Sequence, residues 1–210
     1  MKLKEGILMQ YFTADTHFFD KYLLGIDNFA PRPFKTVDEM NQTIIDNWNQ
    51  RVKPDDTVYH LGDIAVYFTH PAVLSNQAVF SVLKQLNGHL ILIKGNHDSR
   101  SLFKYLANHN FDVDGKPKFQ FHDVGALIKF NHCQYYMTHY PMLLGIVKQI
   151  INLHGHIHHN SIPIKENINV GIDTPEVQYL DHKISFGTPF SEQEIEQMVR
   201  GKAIDFDKRQ

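Results

Sequence analysis

The sequence predicts an α/β domain with more than one sheet. Three observations carry that reading. Short segments rich in Ile, Val, Tyr and Phe alternate with longer amphipathic ones. Their order begins βαβαβα and then turns mainly β. No internal repeat, low-complexity tract or linker-like shift divides the 210 residues, so one domain spanning 1–210 is expected, long enough to bury its own core.

The elements follow in order. ILMQYFTA, from Ile7, reads as a strand that ends at Asp15. VDEMNQTIIDNWNQRV sets Val37, Met40, Ile44, Ile45 and Trp48 at helical spacing, with Thr36 as N-cap. Pro54-Asp55-Asp56 makes a turn, and TVYHL is a strand ending at Gly62-Asp63. Ala72 to Leu86 reads as a helix stopped by Asn87-Gly88. HLILI is a buried strand running into Lys94-Gly95-Asn96-His97-Asp98, after which Asp98 or Ser99 caps a helix through Asn108. FQFHDVGALIKF and CQYYMT are expected to pair around a turn at Asn131-His132. IINLH and ENINVGI add strands, and Ser191 with Glu194 forms a capping box for a last helix.

Composition bounds the function. With 42% hydrophobic and 21% charged residues the chain is of the globular type. A formal charge of -2 argues against a broad grip on nucleic acid or anionic membrane, so no extended nucleic-acid surface is expected. The one cysteine, Cys133, excludes an internal disulfide and fits a reducing compartment; a packed or surface thiol is the plain reading. The apolar part of MKLKEGILMQYF is too short for a signal peptide and lacks a small-residue cleavage site. Lys148, Gln149 and Asn152 interrupt the run from Met142 to Leu153, itself too short to cross a bilayer. A cytoplasmic protein without membrane contact is expected. No feature assigns an oligomeric state.

Chemistry collects where strands end. Asp15-Thr16-His17, Gly62-Asp63, Gly95-Asn96-His97-Asp98, Thr138-His139 and Gly155-His156-Ile157-His158 all follow predicted strands. Carboxyl ends of strands in α/β sheets open into a common crevice, so these distant segments can converge. Residues two apart on extended chain point to the same side. Asp15 and His17 can therefore face one cation, and His156 and His158 can reach two neighbouring ones. Gly62, Gly95 and Gly155 let the backbone bend sharply at each exit.

The motifs DTH, GD, GNHD, TH and GHIH, in this order from Asp15 to His158, resemble those of the calcineurin-like metallophosphoesterases. RPFKTVDEMNQTIIDNWNQRVKPDDTVYHLGD further resembles a small bacterial and phage branch of that family. The resemblance implies two facing mixed β-sheets flanked by helices, an αββα sandwich with a metal pair at the sheet edges. Carried over residue by residue, it implies that Asp15, His17, Asp63 and His158 hold one cation. Asp63 bridges to a second, completed by Asn96, His139 and His156. His97 would act as general acid beside the substrate phosphate, Asp98 would orient it, and Asn96 would also touch a phosphate oxygen.

Independent chemistry agrees. A carboxylate can bridge two cations through its two oxygens, and mixed N/O donors suit two divalent transition ions, Mn first with Fe, Co, Ni or Zn as alternatives, over Mg or Ca. Two cations about 3.5–4 Å apart can activate a bridging hydroxide for direct attack on phosphorus, and His97 would protonate the leaving alkoxide. A small phosphate ester, a phosphodiester or nucleotide-type compound, is the expected substrate. Phosphoprotein phosphatases of the family usually carry an arginine-bearing G-D-x-x-D-R-G segment, whereas here Gly62-Asp63 continues as Ile-Ala-Val-Tyr-Phe. The alternative is an inactive metal-binding interaction module that kept the fold. Such a module would be expected to have lost a ligand or the GNHD histidine, and every position is filled.

The chain departs from the branch after His17, where Phe18-Phe19-Asp20 replaces the usual Gly-His. Asp20 cannot serve there as a cation toward phosphate, and Phe19 could form an apolar wall. Arg32, between two prolines, could reach a substrate phosphate or hold a loop together. Asp173, ending NVGI, could support the site from outside. His60, His89, His154 and His159 match no ligand position and read as packed or solvated.

Overall fold

Alternation along three parallel strands sets the layers. The computed structural model describes residues 8–25, 30–145 and 147–209. β1 (Gln10–Thr13), β2 (Thr57–His60) and β3 (His89–Ile93) lie side by side. Because successive residues of a strand face opposite sides, Tyr11, Val58, Leu90 and Leu92 enter one core and Phe12, Tyr59 and Ile93 another. The first core is closed by α1 (Val37–Arg51), α2 (Ala72–Leu83) and α3 (Arg100–Asn108), through Trp48, Leu83 and Leu106 among others. Thr36 caps α1 by accepting the Glu39 N–H, and Asp38 and Glu39 complement the positive end of its dipole. Trp48 is fully buried and donates its indole N–H to Asn87 O, while Asn47 and Asn49 bond nearby carbonyls.

A short hairpin of β4 (Asp112–Val113) and β5 (Lys116–Pro117) leads into β6 (Phe119–His122). The expected strand FQFHDVGALIKF is two strands. Its first half, β6, pairs in parallel with β3, and the chain then crosses at Asp123-Val124 to the second sheet as β7 (Gly125–Phe130). Both halves carry β-type residues, so composition hid the break. β7 does pair with β8 (Cys133–Thr138), turning at Asn131 and His132 with φ of 46° and 63°, the left-handed pair a two-residue hairpin needs. β9 (Ile150–His154) and β10 (Asn167–Asn169) follow in parallel. β11 (Phe190–Ser191) returns antiparallel to β1. The sheets are thus β11-β1-β2-β3-β6 and β10-β9-β8-β7, both mixed and flanked by helices, as the family resemblance implies.

The second core lies between the sheets, where Phe12, Tyr59 and Leu61 meet Tyr135, Met137, Ile151, Leu153 and Ile168. α4 (Glu192–Lys208) closes it with Ile195 and Met198 and starts at the Ser191–Glu194 capping box. A bridge between Ala14 and Gly171 ties the sheets together where their strands end. Smaller differences concern ends: α2 stops at Leu83 rather than Leu86, and the first strand begins at Gln10; of the two expected caps for α3, Ser99 fills the position. Ile7 and the N-terminal stretch before it lie outside the described residues. Among the described residues no helix is long and apolar enough to cross a membrane.

Two strand-end imidazoles are buried neutral. Burial holds His60 at about 3 and His154 at about 4. In the unfolded chain both take up a proton near pH 6.5. The unfolded state therefore binds more protons below that pH, and stability present above it is lost as pH falls toward 4. Each steepens the decline by up to one proton's worth across its window. Asp15, which burial lifts to about 6, offsets one of them below pH 6. Denaturant unfolding of metal-free protein should show the decline, and His154→Gln should lessen its slope; an unchanged slope would contradict the assignment.

Candidate metal centre

The ligand segments begin just past the strands, and their backbone is not extended. Asp15, His17, Asp63, His156 and His158 all have positive φ, between 47° and 74°. Such values are uncommon for residues with a Cβ and persist only where surroundings enforce them. The two-residue spacing thus works differently from the expected strand alternation: a left-handed residue at each donor turns it toward the same point. Here the Asp15, His17 and Phe18 N–H groups bond to Gly62, Asp63 and Ile64 carbonyls, fastening the first motif to the second. Of the three glycines expected to bend, only Gly62 does so, at φ +90°. Gly95 and Gly155 instead permit close approach: a Cβ would lie 2.3 Å from Asp63 Oδ1 in the first case and 2.5 Å from Asp15 Oδ2 in the second.

All seven sequence-predicted donors come together. One ligand atom each from Asp15, His17 and His158 lie within 4.8 Å of one another, and so do those of Asp63, His139 and His156. Asn96 Oδ1 sits 2.8 Å from both His139 Nε2 and His156 Nδ1. Asp63 joins the groups. Its Oδ2 is 3.6 Å from His17 Nε2 and 3.2 Å from His139 Nε2. Oδ1 accepts the His97 N–H at 2.8 Å, so a single oxygen faces both groups, in place of the two-oxygen bridge expected.

Outer partners fix the imidazoles. His17 Nδ1 bonds Asp20 at 3.1 Å, His139 Nδ1 donates to Leu61 O at 2.9 Å, and His158 Nδ1 lies 3.2 Å from Asp173. A proton held on Nδ1 leaves Nε2 as the lone-pair donor, the usual arrangement of a metal-binding histidine. His156 is turned the other way and presents Nδ1.

The donor set fits divalent cations. His17 Nε2 is buried without a hydrogen-bond partner and aimed at Asp63. Carboxylates and imidazoles crowd together deep in the protein, and the carboxylates draw positive charge. Burial would depress the His17 imidazole, yet Asp20 and Asp63 push it up to about 9. Asp63 likewise outweighs burial and raises His139. Burial opposes the Asp63 carboxylate, but bonds from His139 and His17 hold it far below the usual range. His156, near His139 and short of such a partner, is lowered by burial.

His97 stands at the mouth, exposed, with its ring 5.2 Å from that of His17. Asp98 does not orient it as expected. Its carboxylate is buried and accepts the N–H groups of Asp63, Ile64 and Gly95, so it shapes the loop that carries His97.

Arg32 resolves to its structural role. Fully buried, it donates to Asp15 O and Thr16 O and pairs with Asp173 at 3.0 Å. Despite burial, Arg32 and His158 hold Asp173 at about 2. The clamp thus ties the first motif to the carboxylate that positions His158. Asp20 is the partner that sequence reasoning missed, being weighed only as a replacement for a histidine; its place three residues after His17 was the available signal. Phe19 stacks on Tyr67 at 4.9 Å and lines a cavity, as an apolar wall would.

The model of the calcineurin-like phosphoesterase family matches residues 11–190. A curated relative, the uncharacterised protein MJ1445 of Methanocaldococcus jannaschii, is 30% identical over 173 residues, covering 78% of this chain and 81% of that one. Among solved structures, AQ665 of Aquifex aeolicus, a protein of unknown function, superposes with a TM-score of 0.59 at 24% identity, over 91% of this chain and 99% of its own. The phosphoesterase YfcE of E. coli aligns over 80% of each chain with a TM-score of 0.45 at 14% identity, too distant to add to the argument. The family match runs from β1 into β11 and so takes in both sheets and every donor described above: this chain belongs to the calcineurin-like phosphoesterases.

Proposed function

We propose that the chain is a dinuclear-metal phosphoesterase acting on a small phosphodiester or nucleotide-type ester. The observation that carries this is the convergence of seven N and O donors in two groups about one Asp63 oxygen. Asp15, His17 and His158 would hold one cation, His139, His156 and Asn96 the other, and Asp63 both. Manganese is the first choice, with Fe, Co, Ni and Zn as alternatives. When bound, such ions supply Lewis acidity and lower the pKa of water from about 16 to near 7.

The remaining work falls to the protein. Asn96 places its amide beside the phosphate. His97, reaching out of the mouth, gives a proton to the departing alcohol oxygen as its bond to phosphorus breaks. Asp98 keeps His97 in place through the loop backbone, and the Arg32–Asp173 clamp keeps His158 in place. The free thiol of Cys133 accords with a cytoplasmic location.

Metal-loaded protein should hydrolyse bis-p-nitrophenyl phosphate. Full metal occupancy with no turnover across a panel of phosphomonoesters and diesters would favour the inactive binding module instead. Asp20→Asn keeps a cap for the Lys21–Leu23 turn but removes the charge behind His17. It should weaken metal binding by about 10–100-fold. Equal affinity for variant and parent in a metal titration would deny Asp20 that role.

A further inference from the structure

Beside His97 lies a cavity of about 200 Å³ whose walls include Tyr67, Phe68 and Asn76. Three observations give it a ligand. First, it shares His97 with the site, so a leaving group seated there would carry the oxygen that His97 is proposed to protonate. Second, its rim is aromatic and open: Phe68 is 73% exposed and Tyr67 38%, with Tyr67 braced from behind by its stack on Phe19. Third, Asn76 is 8% exposed and its amide makes no hydrogen bond to any described residue. Its amide is thus left to water or a ligand, and an apolar ligand would shut the water out without replacing its hydrogen bonds.

We infer that this cavity receives the nucleobase of a nucleoside leaving group. A base offers the two things the walls lack, a π-face for Tyr67 and Phe68 and a polar edge for Asn76. A bare sugar or alkyl alcohol offers no such face. The inference rests on the phosphoesterase reading and adds the substrate's leaving half: water adds at phosphorus, the bond to the nucleoside oxygen breaks, and that oxygen takes the proton from His97.

The test uses two esters with the same scissile bond, the methyl phosphodiesters of adenosine 5′-phosphate and of ribose 5-phosphate. The base should raise kcat/KM by about 5–150-fold, the range that stacking one base on an aromatic side chain provides. Phe68→Ala, at an exposed position that should fold normally, and Tyr67→Ala should bring the two esters together by slowing the adenosine ester alone. Equal kcat/KM for both esters in the parent protein, or equal losses on both in the variants, would overturn the inference. Hydrolysis of bis-p-nitrophenyl phosphate, run alongside, separates that failure from failure of the phosphoesterase reading, which would take the inference with it.

Discussion

Asp63→Asn is expected to empty both halves of the centre at once. Asp63 Oδ2 faces His17 and His139 together, so this one substitution touches both donor groups. An amide can still accept the His97 N–H through its oxygen. The atom turned toward the two imidazoles is then an NH₂, which has no lone pair to give and no negative charge. The expected result is loss of metal from both sites and a fall in turnover of about 10³-fold or more, at least the loss seen when one preorganised electrostatic group is removed. Elemental analysis beside a rate measurement decides the point. Unchanged metal content would mean that Asp63 is not shared.

His97→Ala separates binding from chemistry. His97 contributes only its backbone N–H to the donor cluster, and alanine keeps that N–H. Metal content should therefore be retained, while hydrolysis of esters with poor leaving groups falls by about 10²–10⁴-fold, the usual worth of a positioned acid. Esters of p-nitrophenol, which leave without help, should be affected far less. An equal loss on both classes of ester would show that His97 binds phosphate rather than delivering a proton.

The clustered side chains were legible in the sequence for a chemical reason. Few residue types bind divalent cations, and five short motifs at strand ends gather Asp, Asn and His where parallel strands must converge. Their conformation was not legible. Positive φ at Asp15, His17 and Asp63 is imposed by hydrogen bonds between motifs some 46 residues apart in sequence, such as His17 N–H to Asp63 O and Phe18 N–H to Ile64 O. The roles of Gly95 and Gly155 depend on a carboxylate from another strand lying against them, which no local pattern reveals. The division of FQFHDVGALIKF between two sheets is likewise a tertiary choice. Asp98 looked like a partner for its neighbour because sequence shows adjacency; in the fold its oxygens are taken by backbone from the Asp63 loop. Arg32 and Asp173, 141 residues apart, form a pair that only the packing of the two sheets brings together.

The most direct measurement is the stoichiometry of Mn²⁺ bound by the metal-free protein, followed by calorimetry and checked by elemental analysis. Two ions per chain are expected. A single ion, or none held above the level of nonspecific surface binding, would contradict a centre built by Asp15, His17 and His158 on one side of Asp63 and by Asn96, His139 and His156 on the other.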